Sequence, residues 1–282
     1  MKCLNLGCGN RWHLRWTNLD FVSKDKCVIA HNLNQAIPFA DECFEVVYSS
    51  HLLEHFSKDK AEVFLRECYR VLKPGGVLRV VVPDLERISR DYIMALEKAS
   101  SGSQEWAYNY DWILIQMYSM AVMNEPGGEM VKYFSAPVPN KDFLLERLGE
   151  RAYNFLESRV PQRQEYKPVI VENRIMRWIG RIKRFILNPA YRRESLIKLI
   201  LNKEYGALEI GRFRQMGDIH QWMYDRYSLR IIMQKSGFKN VAQRRAYESY
   251  IPDWKRFNLD TEENGSVVRP DSLFMEGIKP EQ

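Results

Sequence analysis

Three groups of residues have types and spacings that could do chemistry. The first is a glycine-flanked turn, Gly7-Cys8-Gly9, directly after the apolar run Cys3–Leu6. Glycines there let the backbone approach a ligand closely, where a Cβ would fill the space. The second lies further along. Asp20 closes a short β-rich run, where a carboxylate can accept both hydroxyls of a ribose. Asn32-Leu33 follows the next run, where the amide could meet an adenine amino group and the leucine pack on its ring. Taken singly, these are as readily a structural turn, a solvated aspartate and a loop asparagine. The third group is His51, His55, Asp84 and His220, residue types that take a proton from a reacting hydroxyl. His220 is the first choice and His51 the next, because the helical region before His220 is expected to carry a substrate pocket. Each histidine could equally be a cap or a hydrogen-bonded core group. His51-Leu52-Leu53-Glu54-His55 also fits an H-x-x-E-H zinc pattern, but no third ligand is suggested and no metal is expected.

The elements that must position these residues follow from periodicity. Cys3–Leu6, Thr17–Phe21, Cys27–Ala30 and Phe44–Ser49 read as short strands. Lys58–Leu72 reads as a helix, with Ala61, Phe64, Leu65, Cys68, Tyr69 and Leu72 recurring at three and four. Lys73-Pro74-Gly75-Gly76 stops it. Val77–Val82 is apolar except for Arg79 and suits a strand covered on both faces. This alternation argues for a parallel α/β sheet. Beyond Pro83 the pattern turns helical: Leu85–Lys98, Trp106–Met123, Asp142–Ser158, Arg174–Leu187 and Glu194–Tyr205. Strands return only at Phe238–Arg244 and Ser272–Ile278.

The ordered series Leu4-Asn5-Leu6-Gly7-Cys8-Gly9, Asn18-Leu19-Asp20, Leu33, Ile37-Pro38-Phe39, Phe44-Glu45-Val46-Val47, Leu53-Glu54-His55 and Arg70-Val71-Leu72-Lys73-Pro74-Gly75-Gly76 resembles the class I S-adenosylmethionine-dependent methyltransferases of the methyltransferase 11 type. The resemblance covers roughly residues 3 to 83, with a weaker echo from Leu229 to Lys279. It implies a Rossmann-like α/β fold: seven strands, mostly parallel, with an antiparallel last strand and a large helical insertion after strand five. Residues 1–83 and 226–282 would then bind S-adenosylmethionine, and residues 84–225 would form a lid and substrate pocket. By the same resemblance Asn5, Gly7, Cys8 and Gly9 belong to the cofactor site, Gly7 and Gly9 meeting the methionine part of the cofactor, Asp20 its ribose, Asn32 and Leu33 its adenine, and Ser49 its amino-acid end. The Glu54-His55 segment falls where strand four enters its helix, which weakens the zinc-peptidase reading.

The sequence departs from the family where Asn5 replaces a frequent acid and where Asn32 and Glu45 replace aspartates. Few residues separate Gly9 from Thr17, whereas a parallel crossover usually takes a dozen or more. The usual first helix is therefore shortened or lost, and Arg11 or Arg15 is expected to replace its N-terminus in holding the cofactor carboxylate.

Composition narrows the rest. The chain has 282 residues, 45% hydrophobic and 28% charged, and can bury a substantial core. Its five cysteines are odd in number, lie within the first 68 residues and form no C-x-x-C pair. They read as buried thiols of a reducing compartment. No secretory leader or spanning run is read, so a cytoplasmic protein is expected. Net charge is +6, which attracts phosphates or anionic lipid without naming a partner. Ile175, Trp178, Ile179, Ile182, Phe185 and Ile186 form an apolar stripe opposite Arg174, Arg177, Arg181 and Arg184. With Arg192, Arg193, Lys198 and Lys203, it reads either as a helix docked on the core or as a basic face for an anionic membrane surface, peripheral to the inner membrane. No RNA-binding signature accompanies it. The resulting expectation is O-methylation of a small molecule or glycan, in cell-surface polysaccharide or secondary-metabolite synthesis. The alternatives are a non-catalytic cofactor-binding scaffold and a nucleic-acid methyltransferase.

Overall fold

The computed structural model describes residues 1–23, 25–149 and 183–281. Seven strands form one sheet: β1 (Cys3–Leu6), β2 (Thr17–Asp20), β3 (Val28–Ala30), β4 (Phe44–Ser50), β5 (Leu72–Pro83), β6 (Lys239–Arg244) and β7 (Ser272–Ile278). Their order is β3-β2-β1-β4-β5-β7-β6. β1 to β5 pair in parallel, and β7 runs antiparallel to both its neighbours. This is the expected Rossmann-like arrangement, and its strand order reverses between β1 and β4.

The helix α1 (Lys58–Val71) buries Ala61, Phe64, Leu65, Cys68 and Val71 along one stripe. The sequence reading put a helix stop at residues 73–76 and a strand only from Val77. In the structure β5 begins at Leu72, paired with Phe44 across a register shift. Lys279 accepts from Gly75 N and donates its own N–H to Gly76, so the Gly-rich stretch is held as sheet.

The two faces of the sheet are covered differently. Leu4, Leu6, Leu19, Val47, Leu78, Val80 and Val82 pack against α1 and the helix Arg226–Lys235. On the other face Cys3, Val46, Tyr48, Val77 and Val81 meet no α-helix among the described residues, only chain that includes the short 3₁₀ turn Trp254–Phe257. Residues 7–16, joining β1 to β2, are irregular, which accounts for the short crossover. The cover comes from Trp16 and from the long β6–β7 connection, residues 245–271, through Ala246, Ile251, Trp254 and Leu259.

An irregular cover buries backbone N–H and C=O groups that no ladder satisfies. The sheet answers with a row of polar side chains. Asn18, Asn5, Tyr48, Arg79 and Glu276 are neighbours in register across five strands, and all are buried. Asn5 Nδ2 donates to Arg11 O at 3.0 Å, and Asn18 Nδ2 donates to His13 O and Trp16 O. Arg79 Nε donates to Asp260 Oδ2, and Nη1 to Glu276 Oε1, each at 2.7 Å. Its remaining N–H groups reach the carbonyls of Glu248, Arg245 and Ala246. All five guanidinium donors are thus used. Tyr48 Oη donates to Asp260 as well. Burial alone would lower the Arg79 pKa, but the charges of Asp260 and Glu276 outweigh it and the side chain stays cationic.

Between β5 and β6 lie α2 (Leu85–Ser100), α3 (Gln104–Val122), α4 (Gly128–Phe134), α5 (Lys141–Leu148), α6 (Pro189–Leu201), α7 (Tyr205–Gln215) and α8 (Arg226–Lys235). The expected helix Asp142–Ser158 is seen as α5, closing at Gly149, with its remainder outside the described residues. Of the basic stripe, 174–182 also lies outside them, and residues 183–187 are helical with Ile186 and Leu187 exposed. The expected helix Glu194–Tyr205 divides into α6 and α7 around the 3₁₀ turn Asn202–Glu204, where Asn202 takes a left-handed φ of 43°. Among the described residues no helix is long and apolar enough to cross a membrane.

The polar row makes a stability prediction. Arg79→Ala leaves Asp260 and Glu276 buried without their cation and should cost about 3–5 kcal/mol. Arg79→Lys should not restore this, because a single ammonium cannot supply five fixed donors. Urea denaturation measures both, and a loss of under about 1 kcal/mol for Arg79→Ala, the range of a surface pair, would contradict the assignment.

Candidate functional site

A cavity of about 820 Å³ opens beyond the carboxyl ends of β1 and β4, at the point where the strand order reverses. Ligands of open α/β sheets bind at this position. Its floor is Asn5, Gly7, Cys8 and Gly9. Tyr48, Ser50 and His51 of the β4 end form one side, and Leu259, Asp260, Glu262 and Arg269 of the β6–β7 connection form the wall opposite. Among the described residues, none of those between 84 and 225, the region expected from the sequence to form lid and pocket, is in its lining. That region acts on the wall from behind. Arg147 and Gln116 hold each other, Gln116 also holds the Asp271 carboxylate, and Arg87 donates to Pro270 O.

The two glycines of the turn differ in what their missing Cβ leaves room for. Gly7 and Gly9 have φ values of 68° and 53°, a region costly for residues with a Cβ. A Cβ on Gly7 would meet Leu52 at 3.0 Å, whereas one on Gly9 would meet nothing within 4 Å. Gly9 therefore faces open space. Its N–H donates to Asp20 Oδ2 at 2.7 Å, which ties the β2 carboxylate to the turn, although Asp20 itself is not among the residues lining the cavity. The Cys8 thiol is pushed up to about 12, chiefly by burial and then by the charge of Asp20, and stays protonated.

Other expected cofactor contacts are placed differently. Arg11 lines the cavity, but its guanidinium is paired with Glu262, Nη2 to Oε1 at 2.5 Å and Nη1 to Oε2 at 3.3 Å. Arg15 is exposed and off the wall. Ser49 is fully buried and its neighbour Ser50 reaches the cavity instead, as the alternation of a strand requires. Asn32 accepts from Asn34 N and so caps its own turn, and Leu33 packs into the core. Neither Asn32 nor Leu33 lines the cavity. Sequence reasoning missed Glu262 and Arg269. They lie in a loop without a motif, and the one available signal was Arg79, the charge inside an apolar strand that holds this loop down.

The candidate catalytic residues separate into two depths. His51 lines the cavity in a left-handed backbone conformation, φ 50°, a strain that persists where surrounding structure fixes it. Its N–H donates to Val81 O, Nε2 is 2.8 Å from Ser272 Oγ, and Nδ1 is 3.2 Å from Glu54 Oε1. Glu54 lies behind it, fully buried, and burial pushes its carboxyl up to about 8. His220 and His55 lie further back, with ring centroids 4.9 Å apart, and are not on the cavity wall. Burial lowers both, His220 to about 3, so both imidazoles are neutral. The Tyr224 hydroxyl is raised by burial and then by the charge of Glu54. Asp84 caps α2, accepting from Glu86 N and Arg87 N. That commitment leaves it a structural carboxylate outside the cavity lining.

Comparison with known proteins gives partial matches. Residues 19–80 match the methyltransferase domain family. A mouse mitochondrial ubiquinone biosynthesis O-methyltransferase is 38% identical over 114 residues, covering 32% of this chain and 30% of that protein. A Caenorhabditis elegans sterol 4-C-methyltransferase is 29% identical over 138 residues, covering 49% and 38%. The chain thus spans about a third of the length of these curated relatives. Among solved structures, an S-adenosylmethionine-dependent methyltransferase from Archaeoglobus fulgidus aligns over 99% of this chain and 86% of its own, at 10% identity and a TM-score of 0.37.

The two glycines should respond differently to substitution. Gly7→Ala combines left-handed strain with the Leu52 contact and should destabilise the fold by about 2 kcal/mol or more. Gly9→Ala carries the strain alone, about 1–2 kcal/mol. Thermal unfolding of the two variants checks the order, and equal losses would contradict the packing described.

Proposed function

We propose that this chain, which carries the methyltransferase domain and the class I S-adenosylmethionine-dependent methyltransferase fold, methylates a hydroxyl group of a small molecule or glycan. The observation that carries this reading is the side-chain-free turn at Gly9, open to a cavity at the switch point and tied by its N–H to the Asp20 carboxylate. The cavity's volume is in the range that buries a ligand of nucleoside size. When bound there, S-adenosylmethionine supplies an activated methyl group.

The residues of the chain divide the remaining work. The backbone of Gly7–Gly9 admits the methionine part, and Asp20 accepts the ribose hydroxyls. Arg11 and Arg269 are the cationic side chains lining the cavity among the described residues, and Arg11 holds the cofactor carboxylate once it exchanges Glu262 for that group. His51 is the histidine that faces the cavity. Its Nδ1 is steadied by Glu54, and its Nε2 takes the acceptor's proton in exchange for the Ser272 contact. Catalysis beyond this is proximity and orientation. Residues 1–83 and 226–282 form the cofactor unit in this reading, and residues 84–225 brace the 269–271 stretch of its wall. Hydroxyl chemistry is supported by the His51–Glu54 pair, and the O-methyltransferase among the relatives is consistent with it.

Calorimetry with S-adenosylhomocysteine tests the cofactor half. One molecule per chain is expected to bind, and Asp20→Ala should weaken binding by about tenfold or more, the loss of one charged hydrogen-bonding group. His51→Ala should bind as the wild type does while methyl transfer to a panel of sugars and phenols falls about 10²–10⁴-fold. No binding to the wild type would overturn the proposal.

A further inference from the structure

Behind the cavity, the turn after β4 meets the segment leading to α8, and two histidines and a glutamate converge there. Potential ligand atoms of Glu54, His55 and His220 all lie within 4.8 Å of one another. Glu54 Oε1 is 3.9 Å from His220 Nε2. Main-chain bonds hold this meeting, with one side-chain amide added. Gln221 N and Trp222 N both donate to Glu54 O, Gln221 Nε2 donates to His55 O, and His220 N donates to Met120 O.

Two further observations point to a ligand. Apart from the His51 Nδ1 contact at 3.2 Å to Oε1, the Glu54 carboxyl oxygens have no hydrogen-bond partner among the described residues, although the side chain is fully buried, and the buried Tyr224 hydroxyl nearby has none either. Buried polar groups in native proteins are satisfied by protein, water or an ion. His55 Nδ1 lies 3.1 Å from the carbonyl of Ile219. A carbonyl only accepts, so Nδ1 carries the proton and the lone pair is left on Nε2. Metal-binding histidines are held in this way, with the second ring nitrogen donating to a backbone carbonyl.

We propose that Glu54, His55 and His220 form a site for a divalent transition-metal ion, tying the 219–222 segment to the turn that carries His51. Two imidazoles and one carboxylate suit Zn²⁺, and three protein ligands leave one position open. Such a donor set disfavours Ca²⁺ and Mg²⁺, which take oxygen ligands. Arg269 is the cation facing the cluster and Asp218 the acid beside His55. The ion would stand one side chain behind the cavity, with the Glu54 carboxylate shared between it and His51. The H-x-x-E-H spacing therefore contributes Glu54 and His55, and the missing ligand comes from a position 165 residues further along the chain than His55.

The site is separate from the cofactor cavity, so its test stands apart from methyl transfer. Untagged full-length protein, stripped with chelator and dialysed, is titrated with Zn²⁺ by calorimetry and with Co²⁺ by its visible ligand-field absorption. One ion per chain is expected. His220→Ala and His55→Ala should each weaken binding by more than about 100-fold, beyond the loss seen for outer-sphere changes. His31→Ala, an exposed histidine elsewhere, should bind as the wild type does. Glu54→Gln, which keeps the shape of the side chain, should also lose the ion and shift the Co²⁺ spectrum, which covers the case of a histidine variant that does not fold. Absence of binding to the wild type, or equal binding by wild type, Glu54→Gln and His220→Ala, would overturn the proposal.

Discussion

The structure depends on one constraint: a sheet face covered by irregular chain must supply the hydrogen bonds that a helix would have made internally. An α-helix arrives with its backbone satisfied. The segments 7–16 and 245–271 do not, and they lie on the face where Cys3, Val46, Tyr48 and Val81 need cover. The row Asn18-Asn5-Tyr48-Arg79-Glu276 resolves this, each member facing the same way because each is paired in register with the next. Its asparagines close the short crossover, and its arginine and carboxylates hold the long connection.

The same row accounts for the cavity. Losing the first helix removes the element that would stand beside the glycine turn, and the β6–β7 connection occupies part of that space. Asp260, bonded to Arg79 and Tyr48, lies on the cavity wall next to Leu259 and Glu262. A buried ion pair is weak evidence for net stability, since desolvation offsets much of its attraction. Its use here is positional: it fixes where an otherwise irregular loop crosses the sheet. Asn5 is explained in the same terms. Its amide donates to the Arg11 carbonyl, a bond that an ionised carboxylate could not make.

Much of this was legible in the sequence. Strand positions, the glycine turn and Asp20 follow from period-two runs and punctuation, because those signals are local. The absent first helix followed from simple length. The wall of the cavity was not legible, because the residues that form it meet the glycine turn some 250 positions away in sequence and carry no periodic pattern. Arg79 was visible as an exception in an apolar run, yet nothing local says that its partners are Asp260 and Glu276. Ser49 against Ser50 was a one-residue matter of strand phase, and the pairing of Arg11 with Glu262 was not legible because Glu262 is distant in sequence. The sequence singles out the histidines as a group with His220 first, but their order of depth, with His51 at the cavity and His220 behind it, depends on how the segment before α8 folds back.

The most direct measurement of the central claim is hydrogen exchange with and without S-adenosylhomocysteine. If the anchored β6–β7 connection forms a wall of the cofactor cavity, binding should slow exchange both in residues 7–11 and in residues 259–269, while exposed α6 stays unchanged. Protection of the glycine turn without any change in 259–269 would contradict it.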